Sequence, residues 1–131
     1  MKNSFYSKEI YTNLYERPSS QSKVCTQMIY GEKFKILIKK KKWLKIRTSF
    51  DNYIGYIKYI NYSKKHNFTH KVNVLKTKIL KSPNNSSKNK SKKFLPFASR
   101  VEILKKYKNF IMFEKNKWIK FKHIKKGNYL E

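Results

Sequence analysis

The sequence contains a single cysteine, Cys25, among its 131 residues, so no disulfide bond can form within the chain. It has only three glycines and three prolines, and no glycine-rich run of the kind that cradles phosphate groups. No stretch approaches the roughly 18 to 20 consecutive apolar residues of a membrane-spanning helix. The first residues lack the apolar run of a secretory signal, and we therefore expect a cytoplasmic chain by default.

Acidic residues are also scarce. Seven of them stand against 33 lysines and arginines, which gives a net charge of +26. This excess predicts a non-specific, salt-sensitive attraction to polyanions. Only Arg17, Arg47 and Arg100 are arginines, the side chain best suited to bidentate phosphate and guanine contacts, and Ala98 is the one alanine. This pattern is typical of biased codon usage, which we place ahead of selected nucleic-acid binding as the origin of the charge.

Hydrophobic residues make up 39% of the chain and aromatic residues 16%, which is too much for a disordered chain. They follow strand patterns. Residues 33–38, 43–47 and 53–60 alternate in polarity or are rich in aromatic and β-branched residues. Short turns separate these segments at residues 39–42 and 48–52. Several short strands joined by tight turns predict a small antiparallel barrel or sandwich.

The order of these motifs occurs twice, which indicates an internal duplication of a unit of about 60 residues. A polar stretch, residues 61–70, is predicted to separate the two copies. A second polar stretch, between Pro83 and Phe94, is predicted to be a solvated loop. The matching segments are Leu14-Tyr15 and Ile79-Leu80, Pro18-Ser19-Ser20 and Pro83-Asn84-Asn85, Trp43-Leu44-Lys45-Ile46 and Phe110-Ile111-Met112-Phe113, and Gly55-Tyr56-Ile57 and Lys117-Trp118-Ile119.

Several segments resemble motifs of the bacterial SH3 domain. Residues 25–32, Cys-Thr-Gln-Met-Ile-Tyr-Gly-Glu, are similar to its strand-and-turn motif, and residues 43–47 to its tryptophan strand. Residues 51–57, Asp-Asn-Tyr-Ile-Gly-Tyr-Ile, resemble its last hairpin, and residues 69–72 resemble the start of a second such domain. The arrangement is similar to the N-terminal half of bacterial cell-wall cysteine peptidases of the NlpC type, the dipeptidyl-peptidase or γ-D-glutamyl-L-diamino acid endopeptidase group.

The resemblance implies an all-β chain of two tandem small SH3-like β-barrels, residues 1–66 and a more divergent second domain, residues 67–131. No segment resembles the nucleophile motif of the peptidases' catalytic domain, so we expect no enzymatic activity and no cofactor. The implied function is a binding or targeting module. Its expected partner is a peptidoglycan peptide or a separately encoded catalytic domain, with possible association to the cell envelope.

The resemblance also implies candidate ligand contacts in the first unit. In relatives, the first barrel helps shape the pocket for the free amino end of the peptide, and Glu32 and Tyr53 lie in the matching motifs. A carboxylate can pair with an ammonium group, and a phenol offers a flat face and a hydrogen-bonding tip. Asp51, Tyr56 and Trp43 complete the predicted set. Because Tyr53 and Tyr56 are three positions apart, they are predicted to point to opposite faces of a strand, one of them into the core.

Cys25 with His66, His70 or His123 would be the residues available for a nucleophile–base pair. Nothing in the pattern predicts the helix N-terminus or cation that activates a catalytic thiol. We therefore interpret Cys25 as a small, half-buried strand residue. The histidines and the cysteine are too scattered to predict a metal site, and the residues 66 and 70 fall in the apparent linker.

The alternative function is that of a basic SH3-like or OB-like protein that binds nucleic acid. Such a protein should gather lysines and aromatic residues into one groove. A wall-peptide module should instead scatter lysine over its surface and keep an aromatic and carboxylate pocket near residues 51–56. Trp43 and Trp118 could act as stacking platforms, although in a barrel this small we expect them in the core.

Overall fold

The computed structural model describes residues 4–86 and 90–127, which form β-strands and a short 3-10 helix. The prediction of an all-β fold is confirmed. Backbone contacts divide the chain into two compact units, Met1–His66 and Asn67–Glu131. Within the described ranges, no helix has the length and apolar character required to cross a membrane.

The first unit is one antiparallel sheet of seven strands in the order β3-β2-β6-β5-β4-β1-β7. Its pattern is clearest in β5, where Leu44, Ile46 and Thr48 are buried and the residues between them are partly exposed. Successive side chains point to opposite faces of a strand, so one face of β5 packs on the core. The strands are β1 (Ser4–Ser7), β2 (Tyr11–Tyr15), β3 (Val24–Ile29), β4 (Lys33–Lys40), β5 (Trp43–Thr48), β6 (Ile54–Lys58) and β7 (Tyr62–Ser63).

The second unit contains a sheet in the order β10-β9-β14-β13-β12 and a smaller sheet in the order β11-β8-β15. When β11 and β12 are counted together as the counterpart of β4, the strands follow the same order as in the first unit. Its elements are β8 (His70–Val72), β9 (Lys76–Leu80), β10 (Lys90–Pro96), β11 (Arg100–Val101), β12 (Lys105–Tyr107), β13 (Phe110–Glu114), β14 (Lys117–Lys120), a 3-10 helix (Phe121–His123) and β15 (Ile124–Lys126).

The core of the first unit requires a close approach of β2 and β6. A Cβ atom added to Gly55 would lie 3.2 Å from Leu14 Cβ and 3.3 Å from the carbonyl oxygen of Tyr15. Glycine therefore allows the two backbones to approach. The core cluster around this contact consists of Leu14, Met28, Phe34, Ile36, Leu44, Ile46 and Ile57.

The two tryptophans differ in burial. Trp118 is 7% exposed and packs with Leu80 and Phe110, which confirms its predicted place in the core. Trp43 is only half-buried, so the prediction of a core position is wrong for this residue. The reason is the register of β5, because Leu44 and Ile46 take the inward positions next to it.

Two polar segments that were predicted to be a linker and a loop are in part built into strands. Residues 61–70 contain β7 and the start of β8, and His66 is 5% exposed. The His66 ring packs against Tyr6 and Tyr30, and its Nδ1 accepts a hydrogen bond from Lys8 Nζ at 2.6 Å, so this segment completes the first unit. In the second predicted loop, β10 already begins at residue 90, while residues 87–89 lie outside the described residues.

Candidate functional site

Thr48, at the end of β5, holds the loop that leads into β6. Its side chain is buried, and its hydroxyl donates to the Asp51 carboxylate and accepts the backbone N–H of Tyr53 at 3.0 Å. The backbone N–H of Thr48 in turn donates to the carbonyl of Tyr53 at 2.9 Å. Asn52 has φ 57°, a left-handed conformation that asparagine tolerates better than most residues. Two of the predicted contacts, Asp51 and Tyr53, are therefore fixed to the end of a core strand.

Glu32 lies in the turn between β3 and β4. Gly31 adopts φ 85° in this turn, and the N–H of Glu32 donates to the carbonyl of Ile29 at 3.1 Å. The next residue, Lys33, accepts the backbone N–H of Ser49 through its carbonyl at 3.0 Å. The turn that carries Glu32 and the loop at the end of β5 therefore meet at the same end of the unit.

Tyr53 connects this loop to β3. Its side chain is 37% exposed and hydrogen-bonds Cys25. That hydrogen bond is the main reason why the pKa of the Tyr53 phenol is raised above its ordinary value of 10.0. Partial burial, the charge of Cys25 and the negative charges of Glu16 and Asp51 raise it further. The phenol therefore stays protonated at neutral pH and can both donate and accept a hydrogen bond.

We call Glu16, Glu32, Asp51 and Tyr53 the carboxylate rim. Its three acidic residues are a large share of the seven in the whole chain. Glu16 is exposed and forms an ion pair with Arg17 at 3.7 Å. Because this pair is exposed to water, it contributes little and leaves the Glu16 charge largely available. The rim thus carries three carboxylates on a strongly basic chain.

Cys25 lies half-buried in β3, in agreement with its interpretation as a strand residue. Its thiol contacts the carbonyl of Lys23 at 4.0 Å and the Tyr53 side chain. No group of three or more potential metal ligands occurs in the described part of the chain. The histidines hydrogen-bond other residues: His66 with Lys8, His70 with Thr69, and His123 with Thr77.

The five predicted contacts do not form one pocket. Trp43 begins β5 and Thr48 ends it, so they lie roughly 16 Å apart at about 3.3 Å per residue. Trp43 is therefore remote from the carboxylate rim. Tyr56 lies between these ends on the outer face of the sheet, paired with Tyr15 of β2 and with Lys45 of β5.

The prediction that either Tyr53 or Tyr56 lies in the core is wrong. Tyr53 is exposed and Tyr56 is half-buried. The inward positions of β6 belong to Gly55 and Ile57, both of which are buried. Tyr56 therefore points outward, and Tyr53 precedes the strand.

Trp43 forms the floor of a separate groove. Its ring and that of Tyr15 meet edge to face with 5.4 Å between centroids and an interplanar angle of 86°, and Lys58 Nζ lies 5.9 Å from the Trp43 ring centroid. The groove has a volume of about 560 Å³. Its lining consists of Ser20, Lys41, Lys42, Trp43, Lys58 and Tyr59.

Sequence reasoning missed Thr48, the interaction of Cys25 with Tyr53, and the two groove residues Lys58 and Tyr59. The spacing of Thr48 and Asp51 is a usable signal, because a hydroxyl can cap a carboxylate three residues later within a turn. Lys58-Tyr59 could have been found as well, since Lys120-Phe121 occupies the same place in the second copy of the duplicated pattern.

Residues 14–59 match the family model of the bacterial dipeptidyl-peptidase SH3 domain. This part of the chain is accordingly an SH3 domain of the type associated with peptidases. The matched range contains β3 to β6, which are most of the strands that support the carboxylate rim. It also contains all five predicted ligand contacts. No curated protein matches the chain.

Proposed function

We propose that the chain is a non-catalytic binding module of cell-wall peptidases, built of two SH3-like domains, residues 1–66 and 67–131. The first domain binds the free amino end of a peptidoglycan peptide at the carboxylate rim. The match of residues 14–59 supports the first domain, and the common strand order of the two units supports the second. The module acts at the cell envelope, where it presents the peptide to a peptidase catalytic domain.

The observation that carries this proposal is that the charges of Glu16 and Asp51 act on Tyr53, while the turn that carries Glu32 lies at the same end of the unit, in a chain of net charge +26. An ammonium group is repelled by the many lysines of such a surface and attracted to the carboxylates of the rim. Ammonium and carboxylate groups form charge-assisted hydrogen bonds, which are stronger than neutral ones. The protonated phenol of Tyr53 adds a polar contact for the peptide backbone.

Nucleic-acid binding is a second candidate, because a groove with lysines and aromatic residues exists at Trp43. Single strands bind such grooves by stacking bases on aromatic faces. Here the ammonium group of Lys58 lies over the Trp43 ring, and this arrangement competes with a stacked base for the ring. We therefore rank this function below peptide binding.

A calorimetric titration tests the proposal with a short wall stem peptide that has a free amino end and with its N-acetylated form. At high salt, where non-specific attraction is screened, the free peptide should bind and the acetylated one should bind at least about tenfold more weakly. Glu32→Gln and Tyr53→Phe should each weaken binding of the free peptide by a similar factor, because each removes one contact of the rim.

Glu114→Gln is the matched control. Its carboxylate lies in the second unit and pairs with Lys117, so its loss changes the net charge equally without touching the rim. Equal affinity for the free and the acetylated peptide would contradict the proposal. So would an equal loss of affinity in Glu114→Gln and Glu32→Gln.

A further inference from the structure

The second unit has a groove of its own at the position that corresponds to the groove of Trp43. We call them the first groove and the second groove. The second groove has a volume of about 370 Å³. It is lined by Asn85, Asn109, Phe110, Lys120, Phe121 and Lys122.

The backbone builds the two grooves in the same way. In the first groove, Trp43 of β5 pairs with Lys58 of β6. In the second, Phe110 of β13 pairs with Lys120 of β14. Each therefore has an aromatic residue at the start of one strand and a lysine at the end of the next.

The chain closes each groove with the same backbone hydrogen bond. The N–H of Tyr59 donates to the carbonyl of Lys42 at 3.2 Å, and the N–H of Phe121 donates to the carbonyl of Asn109 at 2.9 Å. In both cases the residue after the strand lysine is aromatic and is tied to the hairpin turn. This bond places a second ring beside the first.

A polar loop also flanks each groove at a corresponding position. Ser20 and Asn85 each stand two residues after a proline, Pro18 or Pro83, in the matching polar loops. The grooves thus agree in the strand pair, the closing bond and the flanking loop. This agreement is independent of the high overall lysine content, because it concerns aromatic and polar positions too.

Both grooves are cationic. Lys58 Nζ lies 5.9 Å from the centroid of Trp43, and Lys106 Nζ lies 4.5 Å from that of Phe121. None of the described residues that line either groove is acidic. Next to the second groove, burial and then the charges of Lys120 and Lys122 lower the pKa of His123, which is a sign of positive potential at this place.

We propose that each groove binds a carboxylate group of the wall polymer, so that both units hold the same polymer at separate points. This inference rests on the proposed function for the identity of the polymer. Lysine ammonium groups attract carboxylates, and apolar ring walls reduce the screening by water. A ring already covered by an ammonium group offers less to a nucleobase, which favours an anion over a single strand of nucleic acid. Two linked sites raise the overall affinity without any new contact.

Co-sedimentation of the full chain with purified peptidoglycan tests the inference. The probe is used in two forms, untreated and with its carboxylates converted to amides, over a range of salt concentrations. The untreated polymer should bind at least about tenfold more tightly than the amidated polymer at moderate salt. The double variants Lys42→Gln/Lys58→Gln and Lys120→Gln/Lys122→Gln should each lower the affinity for the untreated polymer by about three- to tenfold.

Two other double variants control for net charge. Lys64→Gln/Lys65→Gln and Lys92→Gln/Lys93→Gln remove exposed lysines from the first and the second unit outside the grooves. Each should change the affinity by less than about twofold, because an exposed charge far from the ligand contributes little. Combining both groove variants should cost more than either alone, since the second attachment is then lost as well.

The inference is overturned if the control variants weaken binding as much as the groove variants, or if amidation has no effect. It is equally overturned if a single-stranded oligonucleotide binds more tightly than the polymer and depends on Trp43 and Tyr59. The results differ if the carboxylate rim does not bind the amino end of the peptide. In that case N-acetylation of the peptide would have no effect, while the response to amidation would be unchanged.

Discussion

At the scale of single residues, Gly55 limits how the first unit can vary. Replacement of Gly55 by alanine would raise the free energy of unfolding by about 0.4–1 kcal/mol, because it lowers the entropy of the unfolded chain. Forcing a carbon atom against Leu14 Cβ at 3.2 Å and the Tyr15 carbonyl at 3.3 Å costs about 1–3 kcal/mol, because neither atom belongs to a flexible side-chain end. We expect Gly55→Ala to lower the free energy of unfolding by about 1 kcal/mol and Gly55→Val to lower it further.

Native-state hydrogen exchange at the amides of β2 and β6 measures this effect for the first unit by itself. Ile54→Val serves as the control, because Ile54 is 49% exposed, and its change should stay within about 0.5 kcal/mol. An alanine variant as stable as the unchanged chain would show that β2 and β6 can separate at no cost, against this account of the packing.

Single residues of the site were predictable by type but not by position. Motif resemblance selected Glu32, Asp51 and Tyr53, and the structure brings the segments that carry them to one end of the first unit. It also selected Trp43 and Tyr56, which lie elsewhere. The sequence does not show this separation, because it depends on the length of β5 and on which face each strand turns inward.

At the scale of elements, the turn between β4 and β5 contains a residue in an unfavourable conformation. Lys41 has φ 54°, a region that costs a residue with a side chain about 1–2 kcal/mol and costs glycine nothing. Glycine also loses about 0.5–1 kcal/mol through its more flexible unfolded state. Lys41→Gly should therefore raise the free energy of unfolding of the first unit by about 0.5 kcal/mol.

Lys42→Gly is the matched comparison for this turn. It removes the same charge at a position whose φ lies outside the left-handed region, so the substitution should lower stability by up to about 1 kcal/mol. Urea unfolding of both variants, followed by the same hydrogen-exchange probes, gives the sign of each change. Stabilisation by both substitutions, or by neither, would refute the explanation from backbone conformation.

Strands with a strong alternating or aromatic pattern were the predictable elements. Residues 33–38 and 43–47 lie within β4 and β5. Short strands with polar sequences were missed, because pairing partners rather than their own composition make them strands. β7 is one such case, since Tyr62 and Ser63 pair with β1 far away in the sequence.

At the scale of the whole molecule, the first unit should fold by itself. All strand pairings of β1 to β7 join residues within the first 66, and its core cluster also lies there. A domain of this size buries only about 60% of the surface of its unfolded chain, so its stability will be modest. A fragment of residues 1–66 should show a cooperative urea transition and a dispersed amide NMR spectrum.

A shorter fragment, residues 1–58, tests the role assigned to the segment after β6. It lacks β7, which pairs with β1, and His66, which packs against Tyr6 and Tyr30. We expect this fragment to be much less stable than residues 1–66. If the two fragments have the same stability, residues 59–66 do not contribute to the fold of the first unit.

The all-β class of the molecule was predictable because aromatic and β-branched residues dominate its apolar content. That the second unit is a domain of the same type as the first stays a prediction. The family match covers residues 14–59, and the second copy of the motif pattern preserves residue character more than identity.

The pairing of β1 with β7 has a consequence for how the first unit can be joined to other chains. Tyr6 faces Ser63 and Ser7 faces Tyr62, so the polypeptide enters and leaves the unit at neighbouring points. A domain whose two ends lie close together can be inserted into a surface loop of an unrelated protein without forcing the two sides of that loop apart. The unit can likewise be circularly permuted: its two ends are joined, and new ends are made in an exposed hairpin turn. All strand pairings of the sheet are then kept.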